Sequence, residues 1–150
     1  MEVDVDPFTV YAAPPFTLPA VGGGMVRLED FGGRIVVLNF WASYCTSCRA
    51  EARGLEEVWR AYEGKGVTFI GINMAERPED ARRYVEEFSI TYPIGLDGKA
   101  ETIFEYGVRT PATTFFITGD GKVVYVYEGP LDEEQLKALI EYTRRAEGSL

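Results

Sequence analysis

The sequence predicts an α/β fold, a central mixed sheet with helices on both faces, and three observations carry that expectation. Two runs, Arg34–Trp41 and Val67–Asn73, are too continuously apolar for surface strands and read as strands buried on both sides. Each is followed by residues whose apolar members recur at three and four, the spacing of one helix face. A hairpin signal and a last amphipathic helix close the chain, which completes the alternation expected of a covered sheet.

Taken in order, the first fifteen residues are acidic and rich in Pro and Ala, and residues 1–12 are expected to form a flexible segment ahead of one domain spanning 13–150. Phe16-Thr17-Leu18 and Met25-Val26-Arg27-Leu28 read as short strands, with Gly22-Gly23-Gly24 turning between them. After Cys45, the residues Cys48, Ala52, Leu55, Trp59 and Tyr62 share one helical face. Pro78 suits the first position of the next helix, where Glu79 and Asp80 favour the positive dipole end and Ala81, Tyr84, Val85 and Phe88 form its buried side.

Thr113–Ile117 and Val123–Tyr127 flank Gly119-Asp120-Gly121-Lys122, a hairpin signal. Asp132 with Gln135 three residues later resembles a capping box, Leu131 and Leu136 fit its hydrophobic staple, and the final helix is expected to run to about Arg145.

Composition narrows the function. A chain of 150 residues with 46% hydrophobic and 26% charged residues is the size and make-up of a single soluble domain with a real core. Its 15 Lys and Arg against 24 Asp and Glu give a net charge of −9, which opposes binding to nucleic acid or anionic membrane. No apolar run approaches the roughly 18 residues of a membrane span, and the acidic start does not read as a signal peptide. That leaves two readings: a cytoplasmic protein, or one whose N-terminal anchor lies outside this sequence. The absence of His removes Ser–His and Cys–His nucleophile pairs and most zinc sites.

The chemistry centres on Trp41-Ala42-Ser43-Tyr44-Cys45-Thr46-Ser47-Cys48-Arg49, a C-x-x-C where a buried strand meets a helix. Unpaired N–H groups and the dipole at a helix N-terminus stabilise a thiolate, which makes Cys45 the attacking sulfur and Cys48, one turn inside, its shielded partner. Three plainer roles compete: a structural disulfide, two inert buried thiols, or half of a zinc site. A bridge over two residues constrains little unfolded-state entropy, and the chain holds no further Cys or His to complete a zinc site. Redox exchange is the favoured reading. Arg49 reads as a solvated helix-face charge, and Trp41 and Tyr44 as aromatics that either pack or shape a substrate surface.

These motifs, with Ala13-Pro14-Pro15-Phe16-Thr17-Leu18, Val37-Leu38-Asn39-Phe40-Trp41-Ala42, Tyr106-Gly107-Val108-Arg109-Thr110-Pro111 and Phe115-Phe116-Ile117, resemble the thioredoxin superfamily, in particular its TlpA/ResA type. The resemblance spans Ala13 to Arg145. It implies a thioredoxin-like fold with an N-terminal β-hairpin and an inserted strand-helix segment around residues 67–96. It implies a thiol–disulfide oxidoreductase that keeps protein clients reduced, for instance in cytochrome c maturation or copper-site assembly. It further implies an extracytoplasmic, membrane-tethered protein; the expected enzyme is a monomer supplied by an upstream thiol–disulfide donor, with no metal and no organic cofactor.

For individual residues, the resemblance implies a cis peptide at Pro111, leaving the backbone of Thr110 to pair with substrate. It also implies an active-site glutamate at Glu76; without His, a carboxylate is the available acceptor for the proton leaving Cys48. Three departures stand out. Thr46-Ser47 lacks the proline that usually precedes the second cysteine, Ala52-Arg53 lacks the proline that kinks the helix, and Asn39 stands where many thioredoxins have a buried Asp. Two other classes stay open: a Cu(I)-binding module using both thiolates, and a thiol peroxidase on the same fold.

Overall fold

The computed structural model describes residues 10–149. In chain order its elements are β1 (Tyr11–Ala12), β2 (Thr17–Pro19), β3 (Met25–Arg27), β4 (Ile35–Trp41), α1 (Thr46–Tyr62), β5 (Val67–Met74), α2 (Pro78–Glu87), β6 (Ile94–Asp97), α3 (Glu101–Glu105), β7 (Thr113–Ile117), β8 (Lys122–Glu128) and α4 (Glu133–Ser149).

Six strands make one mixed sheet in the order β1-β8-β7-β4-β5-β6, and β2 with β3 forms a separate hairpin. Strands β4, β5 and β6 are parallel neighbours, while β7 runs antiparallel to β4 and β8 to β7. The central strand is β4, and all seven of its residues are buried. Because side chains alternate along a strand, Ile35, Val37 and Trp41 enter one core while Val36, Leu38 and Phe40 enter the other.

The first core is closed by α1, α2 and α4 through Ala52, Leu55, Ala81, Tyr84, Leu136 and Ile140. The second is closed by Phe16, Val26 and Tyr106, so the hairpin and the α3 segment share that face. Truncating a side chain such as Leu55, which is 2% exposed, would cost about 2–5 kcal/mol.

Most expected elements form where the patterns place them. The capping box is real: the Asp132 carboxylate accepts from Gln135 N at 2.8 Å, and the Gln135 side chain accepts from Asp132 N at 3.0 Å. Helix α1 runs unbroken through Ala52–Arg53, as the missing proline allows. The sheet begins earlier than the expected boundary at Ala13, since Tyr11 and Ala12 pair with Val123 and Lys122 of β8; the rest of the segment expected to be flexible, residues 1–9, lies outside the described residues.

Gly71 on β5 is set by close approach. A Cβ there would stand 2.6 Å from Ile94 Cδ1 and 2.9 Å from Trp41 Nε1. The missing side chain is what lets the Trp41 indole lie across β5 and stack on Tyr84 of α2, with ring centroids 4.1 Å apart.

Candidate active site

The parallel register carries β4 to its C-terminal end at Trp41, and Ala42–Tyr44 then turns the chain into α1. Cys45 is the N-cap of that helix, in extended backbone conformation, and its sulfur accepts a hydrogen bond from Cys48 N at 3.1 Å. N-caps are usually Ser, Thr, Asp or Asn because an acceptor must meet the orphan N–H groups of the first turn. Here a sulfur fills that place and accepts one of those N–H groups.

Both cysteines are free thiols, Cys45 half-buried and Cys48 buried at 1% exposure. Burial pushes the Cys48 thiol far above its ordinary range, and the hydrogen bond with Cys45 and the charges of Cys45 and Glu51 add to this, while the Ala42 backbone opposes it.

Glu51 is the site residue that sequence reasoning missed. It lies one turn beyond Cys48 on α1 and is 3% exposed. One carboxylate oxygen accepts from Asn39 Nδ2 at 3.0 Å and the other from Leu131 N at 2.8 Å. Asn39 also donates to Thr114 Oγ1 at 3.0 Å, which ties β4 to both α1 and β7. Burial pushes the Glu51 carboxyl up to about 7, although the two hydrogen bonds pull it down. Its signal in the sequence was a carboxylate on the stripe that holds Cys48, Ala52 and Leu55.

Glu76 is brought to the cysteine turn. Its carboxylate accepts from Ser43 N at 2.6 Å, from the Ser43 hydroxyl, and from Asn73 Nδ2 at 2.8 Å. Tyr44 stands beside Cys45 with 72% of its surface exposed. Trp41 does not: as an odd-numbered residue of β4 it faces α1 and α2, is 1% exposed, and packs. Its expected part in a substrate surface is corrected accordingly.

Pro111 precedes β7, and the pairing of Thr113 with Phe40 places its loop beside the end of β4. Ala112 belongs to the same core cluster as Cys48 and Trp41. The expected cis peptide is corrected: no peptide bond among the described residues is cis. An X–Pro amide prefers trans by about 0.5–1 kcal/mol. The chain turns one residue later instead, at Ala112 (φ 65°), whose N–H reaches Phe40 O at 3.0 Å. Thr110 is exposed, and its carbonyl accepts from Thr113 Oγ1 at 2.8 Å, which leaves one lone pair for another donor.

Among the described residues, no group of three or more His, Cys, Asp or Glu could hold a metal ion. No helix among them is long and apolar enough to cross a membrane.

The signature of the AhpC/TSA family matches residues 10–126. The chain belongs to the AhpC/TSA family. Within this thioredoxin-fold family, its curated relatives are named thiol-disulfide oxidoreductase ResA. That of Geobacillus thermodenitrificans is 33% identical over 129 residues, covering 86% of this chain and 74% of the relative. That of Bacillus anthracis is 32% identical over the same share of this chain and 75% of its own.

A Chlorobium tepidum structure provisionally named thiol:disulfide interchange protein DsbE superposes with a TM-score of 0.82 at 30% identity, covering 97% of this chain and 98% of that one. A secreted disulfide oxidoreductase of Mycobacterium tuberculosis shares the fold, with a TM-score of 0.78 at 22% identity over 85% of this chain and 95% of its own. This AhpC/TSA member is thus a ResA/DsbE-type thiol–disulfide oxidoreductase with a thioredoxin-like fold, and the Cu(I)-module and peroxidase readings are not favoured.

Proposed function

We propose that the protein reduces disulfides of polypeptide clients through Cys45 and Cys48, outside the cytoplasm, in a pathway such as cytochrome c maturation or copper-site assembly. The single observation behind the chemistry is the sulfur of Cys45 serving as the N-cap of α1, 3.1 Å from Cys48 N.

The reaction follows from that placement. The Cys45 thiolate attacks one sulfur of a client disulfide, forming a mixed disulfide and releasing the other client sulfur as a thiolate. Cys48 then gives up its proton and attacks the Cys45 sulfur. The Cys45–Cys48 disulfide forms and the second client thiolate leaves, so the client gains the two electrons that the dithiol loses. A thiol donor returns the pair to its reduced state by the reverse exchange.

The proton leaving Cys48 needs an acceptor, and Glu51 suits the task better than Glu76. Its charge acts on Cys48, and its carboxyl titrates near neutrality, where a general base works best. The carboxylate of Glu76 is committed to three donors at Ser43 and Asn73. Tyr44, next to the attacking sulfur in the chain, and the exposed Thr110 form the client surface in this reading, with the remaining carbonyl lone pair of Thr110 open to a client N–H.

Trapping tests this reading. Cys48→Ser should accumulate mixed disulfides with clients, visible by mass spectrometry, and Cys45→Ser should give none. Clients trapped on Cys45→Ser alone would reverse the roles, and none on either variant would sink the exchange mechanism.

A further inference from the structure

Ser43, two residues before the attacking sulfur, is held from both sides, by Glu76 on the approach to α2 and by Arg49 of α1. On one side its N–H and hydroxyl both donate to the Glu76 carboxylate, at 2.6 Å for the N–H. On the other its carbonyl accepts from Arg49 Nη1 at 3.2 Å. Arg49 is itself fixed by an ion pair with Glu87 at the end of α2, and its guanidinium lies 5.1 Å from the Phe88 ring centroid and 5.8 Å from that of Tyr84.

Two costs mark this arrangement as imposed. Ala75, which swings Glu76 back toward the turn, has φ 55°, a left-handed conformation that a residue with a Cβ rarely adopts. Asn73 directs its amide nitrogen to Glu76 at 2.8 Å while its Oδ1 is buried with no hydrogen-bond partner among the described residues. Strain and an unsatisfied acceptor persist together only where the surroundings over-determine them, and such places cluster at functional sites.

We infer that Glu76 and Arg49 form a two-sided clamp on Ser43 that sets where the Cys45 sulfur stands, making them positioning residues for its attack. The inference rests on the assignment of Cys45 as the attacking sulfur. It gives the inserted strand-helix segment a task at the active site: Glu76 holds Ser43 directly, and Glu87 at the end of α2 pairs with Arg49 of α1, which holds the Ser43 carbonyl. Glu76 then acts through hydrogen bonds rather than by taking a proton.

The test compares Ser43→Ala, Ser43→Thr, Glu76→Gln and the Ser43→Ala/Glu76→Gln pair. Two readouts are used: the rate of Cys45 alkylation by iodoacetamide against pH, and the rate of first attack on a protein disulfide. Ser43→Ala and Glu76→Gln should each slow both by roughly tenfold, within the ~10²-fold that an ångström of misplacement costs. The double variant should be no slower than the slower single, because both act on one bond set. Ser43→Thr, which keeps the hydroxyl and the N–H, should restore the rate.

The pH dependence of the later attack by Cys48 should stay as in the unmodified protein. Unchanged rates in both singles, or effects that multiply in the double, would overturn the clamp. So would a Glu76→Gln variant that shifts the pH profile of the Cys48 step, since Glu76 would then be a proton acceptor. If the unmodified protein performs no disulfide exchange, the proposed function fails, and the alkylation rates still decide the clamp.

Discussion

The side-chain amide of Asn39 donates to the Glu51 carboxylate at 3.0 Å, across the gap between β4 and α1. A neutral amide therefore occupies the strand position where the resemblance to thioredoxins leads one to expect a buried Asp, and the acid comes from the helix instead. The site keeps one buried carboxylate, contributed by a different element.

That carboxylate should leave a signature in stability. Its carboxyl is raised from 4.5 to about 7 in the folded protein, so the folded state holds a proton the unfolded state has lost. The associated stability is fully present below about pH 4.5 and is lost as pH rises through about 7, amounting to about 3 kcal/mol. Glu51→Gln should gain stability over the unmodified protein by about that amount between pH 4.5 and 8, read by urea unfolding at each pH. A difference that does not change with pH would refute the shift.

The same residue should govern the second chemical step. Loss of the mixed disulfide by Cys48 attack should accelerate through about pH 7 as Glu51 becomes free to accept a proton. Glu51→Gln should abolish that rise and slow the step by roughly 10²-fold, the low end of the range for general bases. Rapid-quench measurement on a preformed mixed disulfide checks this; a preserved pH rise would assign the proton to another group.

The potential of the pair should lie nearer to about −270 mV, as in thioredoxin, than to about −120 mV, as in DsbA. Strong oxidants owe their potential to a stabilised reduced thiolate. The reducing end is expected here from the resemblance to the TlpA/ResA type, whose members keep client thiols reduced. Equilibration with a dithiothreitol buffer gives the value, and a result near the DsbA end would contradict the reductase role.

Gly71→Ala should destabilise the fold by about 1–3 kcal/mol, the usual cost of overpacking. The new Cβ would press on Ile94 Cδ1, which can turn aside, and on Trp41 Nε1, which the stack on Tyr84 holds in place. Thermal unfolding measures the loss, and an unchanged midpoint would mean that the indole is free to move.

The long elements were legible because their patterns are local. Seven buried residues in β4 and the three-and-four stripe of α1 need no knowledge of distant contacts. The short ones were not: β6 and α3 span four and five residues, too few to show a period. Cys45 and Cys48 were readable from spacing and placement. Glu51 was passed over because its burial depends on Leu131, eighty positions away in sequence. The left-handed residues Ala75 and Ala112 carry no signal, since alanine does not ordinarily mark such a conformation. The resemblance supplied a cis bond at Pro111 that this chain replaces with a turn at Ala112.

The sulfur cap of α1 also makes the helix a built-in reporter of its own chemistry. The Cys48 amide proton points at Cys45 Sγ, so its magnetic environment changes whenever that sulfur is charged, alkylated or bridged. A single backbone resonance, followed by heteronuclear NMR, would then track oxidation, titration and client capture without a label at the reactive atom.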